Sequence, residues 1–274
     1  MRRASPGPGP AWEPLTPRGV AAFARAAPGR LLLAQFLVAL LAAGVVAWFF
    51  QRDWFPVVRA ACRALPATGE VRDGRWNSPE TGPVQLAGNH YLALTLDADH
   101  AGQLGREAHL LIEIGREDVR CVSLLGYLRF PYPKEVAWPC NRTELVPRWG
   151  AWQSVIPYLF GLTTLVGLFL SWSTLAVIYW LPLRILAWLA DRELSGAQAW
   201  RLARAALLPA ALLMTAGIFA YATGLLDLLG LGGVMLLHFV MGWFYLLAAP
   251  FFLPRRARPP GGVNPFQPAE KLME

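Results

Sequence analysis

Residues 31–50 read LLLAQFLVALLAAGVVAWFF, twenty residues without a charge. A bilayer core about 30 Å thick is crossed by roughly 20 apolar helical residues. Three more stretches have the same character. No charged side chain occurs between Arg148 and Arg184 or from Ala205 to Leu226. From Leu228 to Pro254 the only histidine or charged residue is His238. The whole chain of 274 residues is 55% hydrophobic and only 16% charged, against about 25% charged in soluble domains. The sequence therefore predicts an α-helical integral membrane protein with transmembrane helices at 31–50, 152–183, 205–226 and 228–254. Buried helices of a large soluble protein are the alternative.

Between the first two runs lies a polar insert, residues 51–151, with twelve basic and twelve acidic side chains. The excess of positive charge sits elsewhere. It is in the tail before residue 31, in the segment 184–204 and after residue 254. By the positive-inside rule these regions are cytoplasmic, which puts both termini inside and the insert outside the cell membrane. The net charge of +7 thus reports topology. Without a basic patch interleaved with aromatics, no nucleic-acid partner is expected; the bilayer is the expected environment.

Residues 1–30, rich in Pro, Gly, Ala and Arg, read as a disordered cytoplasmic tail and 255–274 as a second one. Residues 31–50 read as an uncleaved anchor rather than a signal peptide. Phe55, Val58, Cys62 and Leu65 recur at helical spacing as far as Pro66. Strands follow. Val71 and Trp76 flank a hairpin turn at Asp73-Gly74. Leu92, Leu94 and Leu96 alternate, as do Leu110, Ile112 and Ile114, and Gly115–Asp118 reads as a turn into a further strand. A small α+β domain with an antiparallel sheet is the expectation, closed by an ordered loop from Pro131 to Pro147. Trp48, Trp54, Trp149 and Trp152 suit one interfacial belt; Trp180, Trp188 and Trp200 suit the other.

Segment 184–204 reads as an amphipathic elbow. Ser195-Gly196-Ala197-Gln198 is a capping box that starts the helix leading into the third span. Thr163, Gly167, Ser171 and Thr174 form a small-residue stripe that would let another helix approach. The third and fourth spans are joined by a tight turn around Asp227.

Few residues suggest chemistry. His238 lies inside the fourth span, where an ionisable group suggests a proton relay or a polar-substrate site. The plainer reading is a neutral imidazole bonded to a facing hydroxyl such as Thr163, Ser171 or Thr215. Gln35 in the first span reads as a similar interhelical hydrogen bond. Asp97, Asp99 and His100 together resemble part of a divalent-cation site, against the plainer reading of a solvated turn. His90, His100 and His109 lack cysteines at zinc spacing. All three cysteines, Cys62, Cys121 and Cys140, fall in the insert. Cys121 with Cys140 is the expected disulfide in an oxidising compartment, three reduced thiols being the alternative. Asn141-Arg142-Thr143 fits a glycosylation acceptor pattern. With no hydrolase, nucleotide-binding or zinc-protease motif, the expectation is a non-enzyme without a cofactor or resident metal.

Leu65-Pro66 before the Asp73-Gly74 turn, the strand ending Leu94-Thr95-Leu96-Asp97, and Leu194-Ser195-x-x-Gln198-x-x-Arg201-Leu202-Ala203 with Pro209 after it carry a resemblance. The chain resembles bacterial membrane proteins grouped with the maltodextrin-utilisation membrane proteins, distantly similar to the Yip family. The resemblance covers roughly residues 20 to 254. It implies one N-terminal span, a β-rich extracytoplasmic segment and a cluster of further spans, with no catalytic residues. It also implies an accessory role beside a transport or envelope system. Three functions follow as expectations. The first is a binding or sensing subunit with a membrane-protein partner or a second copy of itself. The second is an oligomeric transporter or channel subunit with His238 and Asp227 near its pathway. The third is a membrane-embedded enzyme using Asp97, Asp99 and His100.

Overall fold

The structure is a computed structural model and describes residues 13, 15–77, 82–102 and 104–256. Four helices in it are long and apolar enough to cross a membrane: Pro28–Ala64, Ile156–Leu189, Gly196–Ala222 and Leu228–Phe252. The sheet-containing region lies between the first and second of these. Contacts divide the chain into two compact units. One holds the described residues up to Leu37, Phe169–Leu212 and those from Leu237 onward; the other holds Val38–Leu168 and Leu213–Leu236.

In the first unit the chain is ordered well before residue 31. Helix α1 (Pro17–Phe23) is capped by Thr16, whose hydroxyl accepts from Gly19 N at 3.0 Å. The expected disordered tail is therefore corrected over its second half. Val20, Ala21, Phe23 and Ala24 supply enough apolar surface to be buried, Phe23 at 1% exposure. Helix α1 packs on the helix Gly196–Ala206 and on the 3₁₀ turn Ala249–Phe252. Two hydrogen bonds hold it there, from the Tyr245 hydroxyl to Leu15 O and from Arg201 Nη1 to Ala26 O at 2.9 Å.

Helix α2 (Pro28–Phe49) continues through a π-helical turn, Phe50–Trp54, into α3 (Phe55–Ala64). The extra residue of a π turn rotates the helix face. Beyond it Phe55, Val57, Ala61 and Leu65 turn inward, and Pro66 follows at the end.

Two small sheets follow in the second unit. Strands β1 (Glu70–Arg72) and β2 (Arg75–Asn77) form the Asp73-Gly74 hairpin. Both turn residues have positive φ, 52° and 74°, as a type I′ turn needs. A later two-residue strand, β8 (Trp138–Pro139), pairs with β1. The larger sheet has the order β3-β4-β5-β6-β7. Its strands are Val84–Gly88, Leu92–Leu96, Leu110–Ile114, Asp118–Ser123 and Gly126–Pro131. It is not wholly antiparallel, because β4 and β5 run parallel. The thirteen residues between Leu96 and Leu110 are long enough to carry the chain back to the starting edge, which a short hairpin loop cannot do. Leu65, Val71, Trp76, Leu86, Leu96 and Tyr132 form the core under both sheets.

The expected loop to Pro147 is also corrected. It ends at Asn141, whose Oδ1 accepts from Glu144 N at 3.0 Å and starts α4 (Arg142–Trp152), with Pro147 inside the helix. The Asn141 amide nitrogen donates to Gly69 O at 3.0 Å.

Helix α5 (Ile156–Leu189) is 34 residues long, about 51 Å at 1.5 Å per residue. It runs past residue 183, so the first part of the expected elbow is its last turns. The chain reverses at Asp191, which has φ 55°. The Ser195–Gln198 capping box then forms with both of its hydrogen bonds and starts α6 (Gly196–Ala206). A one-residue break at Leu207 separates α6 from α7 (Leu208–Ala222). Pro209 has no N–H to continue the ladder there. Helix α8 (Leu228–Ala248) begins where Asp227 Oδ1 accepts from Gly230 N at 2.6 Å.

Phe23→Ala removes a fully enclosed ring and is expected to cost about 3–5 kcal/mol. Trypsin cleavage at Arg25 and Arg30 in detergent is the readout. The wild type should resist, and the variant should be cut there before the long helices unfold.

Candidate functional site

One end of the larger sheet is tied to the last turn of α7, within the second unit. Asn89 Oδ1 accepts from the backbone N–H groups of Tyr91 and Leu92, both at 2.9 Å, and so fixes the entry to β4. The Tyr91 hydroxyl donates towards the carbonyls of Tyr221 at 2.9 Å and Ala222 at 3.2 Å. The Tyr221 carbonyl also accepts from Gly224 N at 3.0 Å, so Tyr91 adds a second donor there and caps Ala222 O at the end of α7. His109, at the entry to β5, stands beside it, with Leu110 N bonded to Tyr91 O at 3.0 Å. Its Nδ1 lies 2.6 Å from the Tyr221 hydroxyl, and its ring stacks on the Tyr221 ring at 5.5 Å. Burial and the neighbouring His90 push His109 below the ordinary imidazole range, and Asp227 opposes them only in part. A neutral ring accepts at Nδ1 from the Tyr221 hydroxyl. Phe49 closes the cluster edge-on to both tyrosines.

His109 also lines a cavity of about 630 Å³. Arg106, Glu107, Glu113, Ser123 and Asp227 supply its polar wall, and Leu111, Val122, Leu124, Leu228 and Leu229 its apolar wall. A second cavity of about 640 Å³ shares Arg106, Glu107 and Ala108 with it and reaches His90, Asn89 and Gln85.

Behind the first cavity is a buried charge network. The residues between Leu96 and Leu110 return over the sheet face that carries Glu113 and Asp118. His100 sits there with φ 53°, its Nδ1 3.2 Å from Glu113 Oε1 and its Nε2 against Asp118 Oδ1. The Glu113 contact lies off the hydrogen-bond axis, leaving Oε1 without a hydrogen-bond partner. Asp118, 1% exposed, also receives Arg129 Nε. Burial raises the Asp118 carboxyl, but the hydrogen bonds and charges of Arg129 and His100 outweigh it and hold the group below the usual carboxylate range. Gly115 makes the arrangement possible, because a Cβ there would land on the His100 ring.

The sequence grouping of Asp97, Asp99 and His100 is thus divided. Asp97 is buried and accepts from Gly102 N at 3.0 Å. Asp99 faces solvent. His100 turns to Glu113 and Asp118 instead. Among the described residues no group of three or more His, Cys, Asp or Glu is placed to hold a metal ion. Glu113 is legible only as the polar residue between Leu111 and Ile114 in an apolar strand, and Tyr91 and Tyr221 carry no sequence signal.

The candidates in the apolar helices are placed as follows. His238 Nδ1 bonds to the carbonyl of Ala210 at 2.8 Å, where a hydroxyl partner was expected. Gln35 is 0% exposed, and neither amide atom has a hydrogen-bond partner among the described residues, so the expected interhelical bond is absent. Thr163, Gly167, Ser171 and Thr174 are all exposed. The inward face of α5 is instead Trp172, Ala176, Leu183 and Ala187. Cys62, Cys121 and Cys140 are free. The expected Cys121–Cys140 bridge does not form, because Cys121 lies within β6 opposite Ile112 and Leu128, whereas Cys140 follows β8 of the other sheet. No family model, curated protein or solved structure matches the chain.

Asp118 contributes stability fully above the unfolded carboxyl value of ~3.9, and that contribution is lost as pH falls through its lower folded value. Thermal melts are therefore expected to fall steeply below about pH 4. Asp118→Asn should cost about 3–5 kcal/mol at neutral pH by leaving Arg129 and His100 without their carboxylate, and should flatten that acid limb. Tyr91→Phe removes the side-chain donor to Ala222 O and one of the two donors to Tyr221 O, at a cost of about 1 kcal/mol. Faster amide exchange confined to the last turn of α7 is the check.

Proposed function

We propose that this protein is a non-enzymatic multi-pass membrane protein whose extracytoplasmic sheet domain binds a small organic cation and relays occupancy to α7. The observation that carries this is the double position of His109. It lines the cavity and also meets the Tyr221 hydroxyl of α7 at 2.6 Å. A ligand that contacts His109 therefore bears directly on the end of a long apolar helix. The wall offers two exposed carboxylates, Glu107 and Asp227, against one guanidinium, Arg106, with the Glu113 carboxyl buried behind them against His100. A site with that balance favours positive charge. A cavity of this volume falls in the range that holds small molecules.

The charge asymmetry supports placement in the cell membrane with both termini inside. The exposed stripe from Thr163 to Thr174 offers a close-packing surface to a helix of a membrane-protein partner or a second copy. Together with the resemblance to the maltodextrin-utilisation membrane proteins, this supports an accessory or sensing subunit rather than an enzyme.

Thermal shift of the full chain in detergent, across a panel of amines, amino acids and quaternary ammonium compounds, is the test. At a hundredfold excess over Kd a ligand stabilises by about 2.7 kcal/mol. At least one cationic compound should raise Tm, and Ala108→Trp, which fills the cavity, should abolish that shift while its own melt remains cooperative. If no cation shifts the wild type, or if Ala108→Trp responds equally, the assignment fails.

A further inference from the structure

The hairpin between β6 and β7 has the wrong residues for a turn in water. Ser123 pairs with Gly126, so its two central residues are Leu124 and Leu125, 68% and 97% exposed. Two-residue turns in solvent favour Asn-Gly or Asp-Gly. All six residues of the following edge strand β7 are exposed, and among them are Tyr127, Leu128 and Phe130. An uncovered apolar edge of this kind normally meets something.

The register says where this tip lies. Leu92 pairs with Leu110, and Leu110 with Ser123. The tip is therefore at the same end of the sheet as Tyr91, whose hydroxyl caps the last turn of α7. Leu124 also shares a cavity wall with Leu228 and Leu229, the first two residues of α8. Leu124 thus stands beside the start of α8, at the end of the sheet that Tyr91 ties to α7, and both helices belong to segments long and apolar enough to cross a membrane. The charge is equally informative. From Asp118 to Phe130 the charged residues are Asp118, Arg120 and Arg129; both arginines pair with the buried Asp118 carboxylate, and no charged residue lies between Arg120 and Arg129 around the tip. The Arg120 guanidinium lies over the Tyr127 ring at 5.9 Å. An apolar tip flanked by an aromatic side chain matches the polarity profile of a lipid interface.

We propose that Leu124 and Leu125 insert into the lipid leaflet on the sheet domain's side of the bilayer, with Tyr127 at headgroup level. This rests on the long helices crossing a bilayer and is independent of the ligand cavity. The hairpin would then be a second, non-covalent attachment of the sheet domain to the membrane.

The test is a nitroxide on Leu125→Cys in the full chain, in nanodiscs of phosphatidylcholine and phosphatidylglycerol. Glu135→Cys is the reference, since it lies beyond Pro131 at the opposite end of β7. Burial pushes the Cys121 and Cys140 thiols up and slows their labelling. The parent protein, which also retains Cys62, gives the background. Collisions with oxygen should exceed those with a water-soluble nickel chelate at position 125, and the order should reverse at position 135. Dominant nickel collisions at 125 would overturn the proposal. So would dipolar broadening between labels of two copies, which would make the tip a contact between protomers.

Discussion

One contact that ties the sheet domain to a long apolar helix is small: one tyrosine hydroxyl on the last carbonyls of α7. Tyr91 donates to Ala222 O and, together with Gly224 N, to Tyr221 O, at a helix end whose last carbonyls lack intrahelical partners. Where such an end approaches lipid, water is scarce and an unsatisfied carbonyl costs more. The side chain that supplies the donor comes from the entry to β4. Every register relation across the larger sheet is therefore referred to the end of α7. His109, one strand away, is carried to the Tyr221 hydroxyl by the parallel pairing of β4 and β5.

That parallel pairing has a second consequence. Parallel neighbours require a crossover, and the crossover is the segment that carries Asp97, His100, Arg106 and Glu107. It brings His100 onto the sheet between Glu113 and Asp118. The buried Asp118 carboxylate is tolerated because basic groups meet it; Arg129 reaches it from β7 and Arg120 lies 3.7 Å away. The same segment walls both cavities, so the charge network and the candidate binding site are two sides of one loop. Gly115 belongs to this arrangement as well, because only a residue without Cβ leaves room for the imidazole.

In the other unit the organising residues are apolar and small. Ala199, Leu202, Ala203, Ala205 and Ala206 of α6 are all buried, and α1 closes over this helix with Val20 and Phe23. Arg204 is buried too, its guanidinium 4.5 Å above the Trp200 ring, a contact that offsets part of the cost of withdrawing a charge from water. Gln35 has no such compensation among the described residues, and its two unpaired amide atoms mark the least satisfied point of the apolar helices.

The four long apolar helices were legible in the sequence because the core of a soluble domain rarely demands a charge-free run of bilayer length. The Asp73-Gly74 turn, the Ser195–Gln198 capping box and the end of α3 at Pro66 were legible because each depends on residues within four positions. The parallel β4–β5 pair was not, since alternation reports which face a residue takes and is silent on strand direction. Helix α1 was hidden by the prolines and glycines around it; its few apolar side chains matter only once α6 is there to receive them. The disulfide expectation failed for the same reason, because spacing along the chain does not tell which sheet a cysteine enters. The site residues fared alike. His100 stood out beside two aspartates, yet its partners are Glu113 and Asp118, thirteen and eighteen positions on. Tyr91, His109 and Tyr221 carry no local pattern at all. Composition and short-range periodicity by themselves determined that the chain carries four helices long and apolar enough to cross a membrane. Only the tertiary structure decided which polar groups meet, because the contacts that build the site join residues more than a hundred positions apart.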